Sequence, residues 1–169
     1  DAPYDMWFEK GLITLSGGKN EFKNDYKFII KHLKDLIQNY ELNIKVIGYD
    51  PHNADAFLED LEELGIPLLE VTQSAKFLND ATEYMRLNIK SENIEYDKSN
   101  EILSWSFANA KITSNSFGEI KIDKEAKERT KRVDPVDACI GAHVAYMKYS
   151  EDIDIDKEMD NYLEVMGWS

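Results

Sequence analysis

Cysteine is almost absent from this sequence, since Cys139 is the single one among 169 residues. One cysteine cannot form an intramolecular disulfide, so burial of apolar side chains must stabilise the fold. A chain of this length is one domain of ordinary size and can bury a sufficient core. Cys139 lies in an apolar helical stretch between Ala138 and Ile140, which favours a structural thiol over a catalytic one.

Long apolar runs are lacking as well. No segment approaches the roughly 20 residues that a helix needs to cross a bilayer, and we therefore expect no membrane partner. The first residues, Asp1-Ala2-Pro3-Tyr4-Asp5, show neither an initiator methionine nor the pattern of a signal peptide. We interpret them as an interior part of a longer protein.

Positive charge is scarce, with 20 Lys and Arg against 33 Asp and Glu and a formal net charge of −13. This balance argues against broad adhesion to nucleic acid, because the long-range field repels phosphate. It does not exclude a nuclease, since clustered carboxylates bind cations that invert the local field. One basic run stands out; it either contacts a phosphate backbone or balances nearby acids in a solvated loop. Its members are Lys121, Lys124, Lys127, Arg129, Lys131 and Arg132.

Helical and strand-like patterns alternate along the first half of the chain. Helices are predicted over about 20–40, 53–64 and 75–89, and strands over 44–49 and 67–71. This alternation predicts an α/β fold with a partly parallel sheet covered by helices. Further predictions are short strands at 12–15 and 93–96, a short helix after Asn100, a hairpin over 111–122, and helices over 134–149 and 156–166.

Three carboxylates occupy positions that suit chemistry. Asp50 ends an apolar strand, and ligands of open α/β sheets bind outside the carboxyl ends of strands. Asp134 and Asp137 lie one helical turn apart at a helix start, where the helix dipole keeps them ionised. Each also has a purely structural explanation. Asp50 suits the turn through Pro51, and Asp134 suits an N-cap with Pro135 as the first helical residue.

A strand-end Asp together with helix-start Asp residues is one way to assemble a two-metal site for phosphodiester cleavage. The three histidines show no metal-ligand spacing, and only His52, two residues after Asp50, has a place near such a site. No phosphate-binding glycine pattern is present, so we predict no nucleotide site.

A series of motifs spans about residues 3–149. In order, they are Tyr4-x-x-Trp7 with Gly11, Leu12 and Gly17; Ile47-Gly48-Tyr49-Asp50-Pro51-x-Asn53-Ala54; Gly65; Val71-x-Gln73; Trp105 with Asn109; a hairpin reaching Lys124; and Arg132-Val133-Asp134-Pro135-Val136-Asp137-Ala138. In order and spacing this series resembles the C-terminal nuclease region of tailed-phage large terminases.

The resemblance implies an RNase H-like mixed sheet flanked by helices and a DNA endonuclease that uses Mg²⁺ or Mn²⁺, with two ions in the complete domain. Asp50 and Asp134 match acidic metal ligands of the family, and Asp137 lies where some members place another acid. Asn53, Gln73, Asn109 and Lys124 match recurrent positions that are structural or face DNA. The family's first catalytic Asp lies on a strand upstream of the Tyr4-x-x-Trp7 motif, so we expect the sheet here to lack its first strands.

The resemblance also implies a biological setting. We expect residues 1–150 to be the partial nuclease domain and 151–169 an acidic C-terminal tail. The implied partners are double-stranded DNA, an ATPase domain of the same polypeptide, a portal protein and a small terminase subunit. They meet at the procapsid portal in the host bacterial cytoplasm, where concatemeric DNA is cut during packaging. Two alternatives stay open: a remnant domain that serves as an interaction module in packaging, and another RNase H-like nuclease such as a junction resolvase.

Overall fold

A computed structural model of the protein describes residues 2–16, 25–52, 54–124 and 132–166. Six helices and four strands lie in these ranges. The helices are α1 (Tyr4–Glu9), α2 (Tyr26–Asn39), α3 (Leu58–Glu62), α4 (Ala75–Lys90), α5 (Glu101–Asn109) and α6 (Asp134–Val165). The strands are β1 (Ile47–Tyr49), β2 (Leu68–Glu70), β3 (Ala110–Ser114) and β4 (Ile120–Lys124). None of the described helices is both long enough and apolar enough to cross a bilayer.

The strands confirm the predicted α/β class with mixed strand directions. β1 and β2 run parallel, with Gly48 opposite Leu69. β3 and β4 form the predicted antiparallel hairpin, with Ile112 opposite Ile122. In the described part of the chain these pairs are two separate two-stranded sheets, and β1 pairs with a strand only on its β2 side.

Several local predictions are wrong. Residues 4–9, where no helix is predicted, form α1, while 12–15 and 93–96 form no strand. In place of two helices over 134–149 and 156–166, one continuous helix, α6, extends to Val165. The acidic stretch between them contains no Pro or Gly, so nothing in the local sequence interrupts the helix.

The hydrophobic core is centred on the first half of α6. Val136, Ile140 and Val144 are buried there against Val71, which follows β2, and against the buried face of α4. That face carries Leu78 and Ala81. The hairpin closes one side of the core, with Ala110 and Ile122 packed against this cluster. The position of α6 is therefore set by β1, β2 and α4 together.

The closest approach of sheet and helix occurs at Gly48 in β1. A Cβ atom placed on Gly48 would lie 3.0 Å from Val71 Cγ2, 3.2 Å from the Gly141 carbonyl oxygen and 3.3 Å from Ala145 Cβ. All three neighbours belong to well-packed segments, so none can move away at low cost. Glycine at this position allows β1 to lie directly on α6.

We expect Gly48→Ala to destabilise the fold by about 1–3 kcal/mol, because the added methyl group forces β1 away from α6. Gly141→Ala is the matched control. A Cβ atom there would meet only Val71 Cγ1, at 4.0 Å, and alanine stabilises a helix interior relative to glycine. Urea denaturation measures both, and equal stability of the two variants would contradict this account of the contact.

Candidate metal and DNA site

The candidate site begins at the carboxyl ends of the two parallel strands. Asp50 follows β1 directly, and its Oδ1 accepts a hydrogen bond of 2.9 Å from the backbone N–H of His52. Beyond β2, the backbone N–H of Val71 donates to the Tyr49 carbonyl oxygen at 2.8 Å, which prolongs the strand pairing. The Gln73 side chain then turns back and donates to the Val71 carbonyl oxygen at 3.0 Å. Asp50 and Gln73 thus lie at the same edge of the sheet.

The other half of the site is the first turn of α6. The helix starts at Asp134 itself, so Asp134 is its first residue and not the predicted N-cap. The N–H of Val136 donates to the Val133 carbonyl oxygen at 2.9 Å and also to Oγ of the fully buried Ser106 in α5 at 3.3 Å. Asp134 and Asp137 lie in this first turn, at the positive end of the helix dipole, which favours ionised carboxylates.

A cleft of about 490 Å³ joins these two halves. Asp50, Gln73, Asp134 and Asp137 line it, and its remaining walls are residues of β1 and small residues of α6 such as Ala138 and Ala142. The structure thus brings all three sequence-predicted acids to one cleft, although Asp50 and Asp134 are 84 positions apart in the chain.

A second, smaller cavity of about 190 Å³ continues from the cleft, since Gln73, Asp134 and Asp137 line both. Lys121, Asp123 and Arg132 also line the smaller cavity. Lys121 Nζ donates to the Gln73 carbonyl oxygen at 3.3 Å. The sequence analysis missed Asp123, although the two-residue repeat of a strand places it on the same face of β4 as Lys121.

The electrostatics of the cleft favour a cation. The pKa of Asp137 rises from the ordinary 3.8 to about 6, first because the surrounding protein desolvates the carboxyl, and then because of the negative charges of Asp134 and Asp123. Lys121 acts in the opposite sense and offsets only part of this rise. A divalent cation would remove the repulsion and would bind through carboxylate oxygens, the ligands that Mg²⁺ and Mn²⁺ prefer.

The described residues nevertheless do not form a complete set of metal ligands. Across the described ranges, no group of three or more His, Cys, Asp and Glu side chains lies close enough together to hold a metal ion. The donors fit a hard cation in kind, but those of the described residues alone do not enclose one.

Comparisons with known proteins identify the family of the chain. The family model for the terminase large subunit endonuclease domain matches residues 2–151. The chain belongs to this family. It is also similar to the large terminase of bacteriophage HK97 in its crystal structure, with a TM-score of 0.71 and 25% sequence identity. That match covers 85% of this chain and 29% of the HK97 chain, so this chain spans less than a third of that terminase. A search of curated proteins found no match.

In this terminase nuclease domain, the Tyr4-x-x-Trp7 motif serves packing. Trp7 is buried, and its ring meets that of Trp105 edge-on, with centroids 5.3 Å apart. Tyr4 packs against Trp7 in the same way, at 5.8 Å. A salt bridge of 2.6 Å between Lys10 and Glu101 holds α1 against α5. Since α5 also supplies Ser106 beneath the first turn of α6, the motif supports the site without entering it.

The structure describes only some residues of the predicted DNA-binding run. Lys121 and Arg132 line the smaller cavity beside the acids. Lys124 ends β4, and its side chain lies outside the described part of the structure. Lys127, Arg129 and Lys131 lie outside the described residues altogether, as does Asn53.

Other candidate residues have structural surroundings. His143 stacks on Tyr84 with ring centroids 4.5 Å apart, and burial lowers the pKa of its imidazole. Burial likewise raises the pKa of the Cys139 thiol, which disfavours a reactive thiolate. His52 touches the site only through its backbone contact with Asp50.

Asp137→Asn tests the electrostatic argument without any metal. A carboxyl whose pKa is raised in the folded state destabilises the fold at pH values above that pKa. The destabilisation disappears as the pH falls from about 6 towards 3.8. In EDTA at pH 8 we expect the free energy of unfolding of the variant to exceed that of the wild type by about 1 kcal/mol. This figure is small because Asp137 is exposed and solvent screens the repulsion.

Thermal unfolding between pH 4 and pH 8 measures this difference. Glu95→Gln is the control, since it removes the same charge from an exposed residue outside the two cavities. A stability difference between Asp137→Asn and the wild type that does not change with pH would contradict the proposed repulsion.

Proposed function

We propose that this terminase nuclease domain hydrolyses double-stranded DNA with divalent metal ions, Mg²⁺ or Mn²⁺. Asp50, Asp134 and Asp137 would supply carboxylate ligands. The observation that supports this most strongly is the cleft itself, where acids from a strand end and from the start of a distant helix face the same space. Structural needs alone do not explain why the first turn of α6 presents two carboxylates there, one of which raises the pKa of the other, Asp137.

A pair of bound ions would supply an activated water molecule and would stabilise the leaving oxygen. The residues of the chain would hold and orient the substrate. Lys121 and Arg132 border the smaller cavity beside Asp134 and Asp137, where they can bind the phosphates that flank the scissile bond.

The open ligand set points to a further contribution at the free edge of β1. Within the described ranges this edge has no strand partner, and the cleft runs along it past Val46 and Ile47. The terminase resemblance assigns the first catalytic Asp to a strand upstream of the Tyr4-x-x-Trp7 motif. A strand paired with this edge would deliver that carboxylate next to Asp50, where it would complete a site for two ions.

The setting in packaging is part of the same proposal. The chain spans 29% of the HK97 large terminase, so an ATPase domain, a portal protein and a small terminase subunit would act with the rest of the polypeptide. The substrate would be concatemeric phage DNA, cut at the procapsid portal in the host cytoplasm. The division at residue 150 also stays a proposal; α6 crosses it without a break.

A second candidate is an interaction module without catalysis, as in a remnant of a packaging nuclease. The absence of a three-residue metal cluster among the described residues favours it. This module would bind no Mn²⁺ tightly and would bind its packaging partners equally well with Asp50 or Asp134 replaced. A junction resolvase has no observation in its favour, since the family model is that of terminases.

Mn²⁺-dependent nicking of supercoiled plasmid is the direct test of nuclease function. We expect Asp50→Asn and Asp134→Asn each to lower nicking at least about 100-fold, because each removes a ligand that holds an ion at the reacting phosphate. Asp35→Asn, in α2 and outside the lining of the cleft, is the matched control. Unchanged nicking by both site variants would overturn the assignment.

Calorimetric titration with Mn²⁺ distinguishes the two candidate functions even where nicking is weak. A nuclease site binds Mn²⁺ through Asp134 and Asp137, so the heat of binding should fall in Asp134→Asn. An interaction module predicts no such heat in the wild type.

Lys121→Ala tests the phosphate contact. Each lysine–phosphate contact releases counterions, so affinity for DNA falls as salt rises. In a plot of log affinity against log salt concentration, we expect the slope of Lys121→Ala to be smaller in magnitude than that of the wild type by about 1. Lys98→Ala removes the same charge from an exposed turn and serves as the control. Equal slopes for wild type and Lys121→Ala would remove Lys121 from the DNA interface.

A further inference from the structure

The tip of the β3–β4 hairpin exposes an aromatic side chain. Phe117 is 87% exposed, more than any other large apolar residue in the described ranges. Full exposure of a phenylalanine ring to water costs about 1.5–3 kcal/mol relative to burial. In the described part of the folded chain the ring stays exposed. A partner that covers it would therefore add this free energy of burial to the binding.

The turn that carries Phe117 is firmly organised. Asn115 Oδ1 accepts from the backbone N–H of Phe117 at 2.9 Å and from that of Glu119 at 3.1 Å. The Asn115 backbone also accepts from Gly118 N–H at 3.1 Å and donates to the Glu119 carbonyl oxygen at 3.0 Å. Gly118 adopts φ +81°, a conformation that suits glycine. The backbone that carries the ring is therefore fixed, and a contact with the ring would order only its side chain.

The hairpin extends from the candidate site. Lys121 in β4 contacts Gln73 at the carboxyl edge of the parallel strands. One residue nearer the tip, the N–H of Ile120 donates to Asn79 Oδ1, in the first turns of α4, at 2.9 Å. These two contacts fix the lower part of the hairpin beside the acids. Phe117 lies beyond them in the turn, four residues from Lys121, so the two residues are separated by at most roughly 13 Å.

We propose that Phe117 inserts between base pairs of the duplex that is bound at the site. This inference rests on the proposed nuclease function, since that function brings DNA to Asp50 and Asp134. A reach of up to roughly 13 Å from a phosphate-binding lysine is comparable to the width of a DNA groove. Apolar side chains placed this way unstack a base step and bend the helix, which would hold the scissile phosphate in register with the cleft.

The surroundings of Phe117 favour DNA over a protein partner. Its neighbours in the turn are polar or small, namely Asn115, Ser116, Gly118 and Glu119. A protein-docking surface is a contiguous apolar patch, whereas insertion needs one ring with polar neighbours that remain in water. The basic residue next to the site, Lys121, lies on the same hairpin.

The test uses the intact chain and a 30-base-pair duplex that carries an end dye and 2-aminopurine, a base whose fluorescence rises when it unstacks. Ca²⁺ replaces Mn²⁺ so that binding is measured without cleavage. We expect Phe117→Ala to weaken binding about tenfold, in line with the value of one base–aromatic stack, and to abolish the rise in fluorescence. Phe117→Trp should retain both. Tyr40→Ala removes another exposed ring, 70% exposed at the end of α2, and should bind as the wild type does.

The possible outcomes separate this inference from the proposed function. If the wild type binds duplex and Phe117→Ala binds equally well, insertion is overturned while the nuclease proposal stands. If affinity falls but 2-aminopurine does not respond at any position, the ring touches DNA without inserting, which also overturns it. If the substitution changes the oligomeric state in sedimentation and leaves DNA binding intact, the tip is a protein contact. If the wild type binds no duplex, both proposals fail for this chain.

Discussion

The contact between β1 and α6 is the constraint on which the rest of the structure depends. Gly48 lets the strand approach the Gly141 carbonyl and Ala145 so closely that no larger residue fits without displacement. The strand ends in Asp50 and the helix begins with Asp134, so a single packing contact sets how the two halves of the cleft face each other. A well-packed core transmits small displacements, and a shift of β1 would therefore move Asp50 relative to α6.

Around this contact the described part of the chain brings together the carboxylates of Asp50, Asp134 and Asp137. The helix dipole stabilises Asp134 and Asp137, while desolvation and mutual repulsion raise the pKa of Asp137 to about 6. Lys121 lowers the pKa of Asp137 and so offsets only part of this rise. A raised pKa of this kind costs stability in the folded protein, as is common where function competes with stability.

Much of the site could be predicted from the sequence because local rules place its parts. A β-rich run that ends in Asp50-Pro51 marks a strand end, and Asp134-Pro135 marks a helix start. The hairpin and the short helix capped by Asn100 follow from turn and cap residues, and the structure confirms both. The wrong predictions fall where local signals are weak. Short apolar runs at 12–15 and 93–96 found no strand partner, and α1 depends on the distant ring of Trp105.

By itself, the sequence determined which residues are able to do chemistry and which elements carry them, because strand ends, helix starts and turns obey local backbone physics. Only the tertiary structure decided which of them meet. The shared cleft of Asp50 and Asp134, the entry of Asp123 into the site, the contact of Val136 with Ser106 and the outward position of Phe117 all depend on packing between segments far apart in the chain. Such contacts arise from the burial of apolar faces against one another. The periodicity of one segment shows that it has an apolar face, but it does not show which distant segment covers that face.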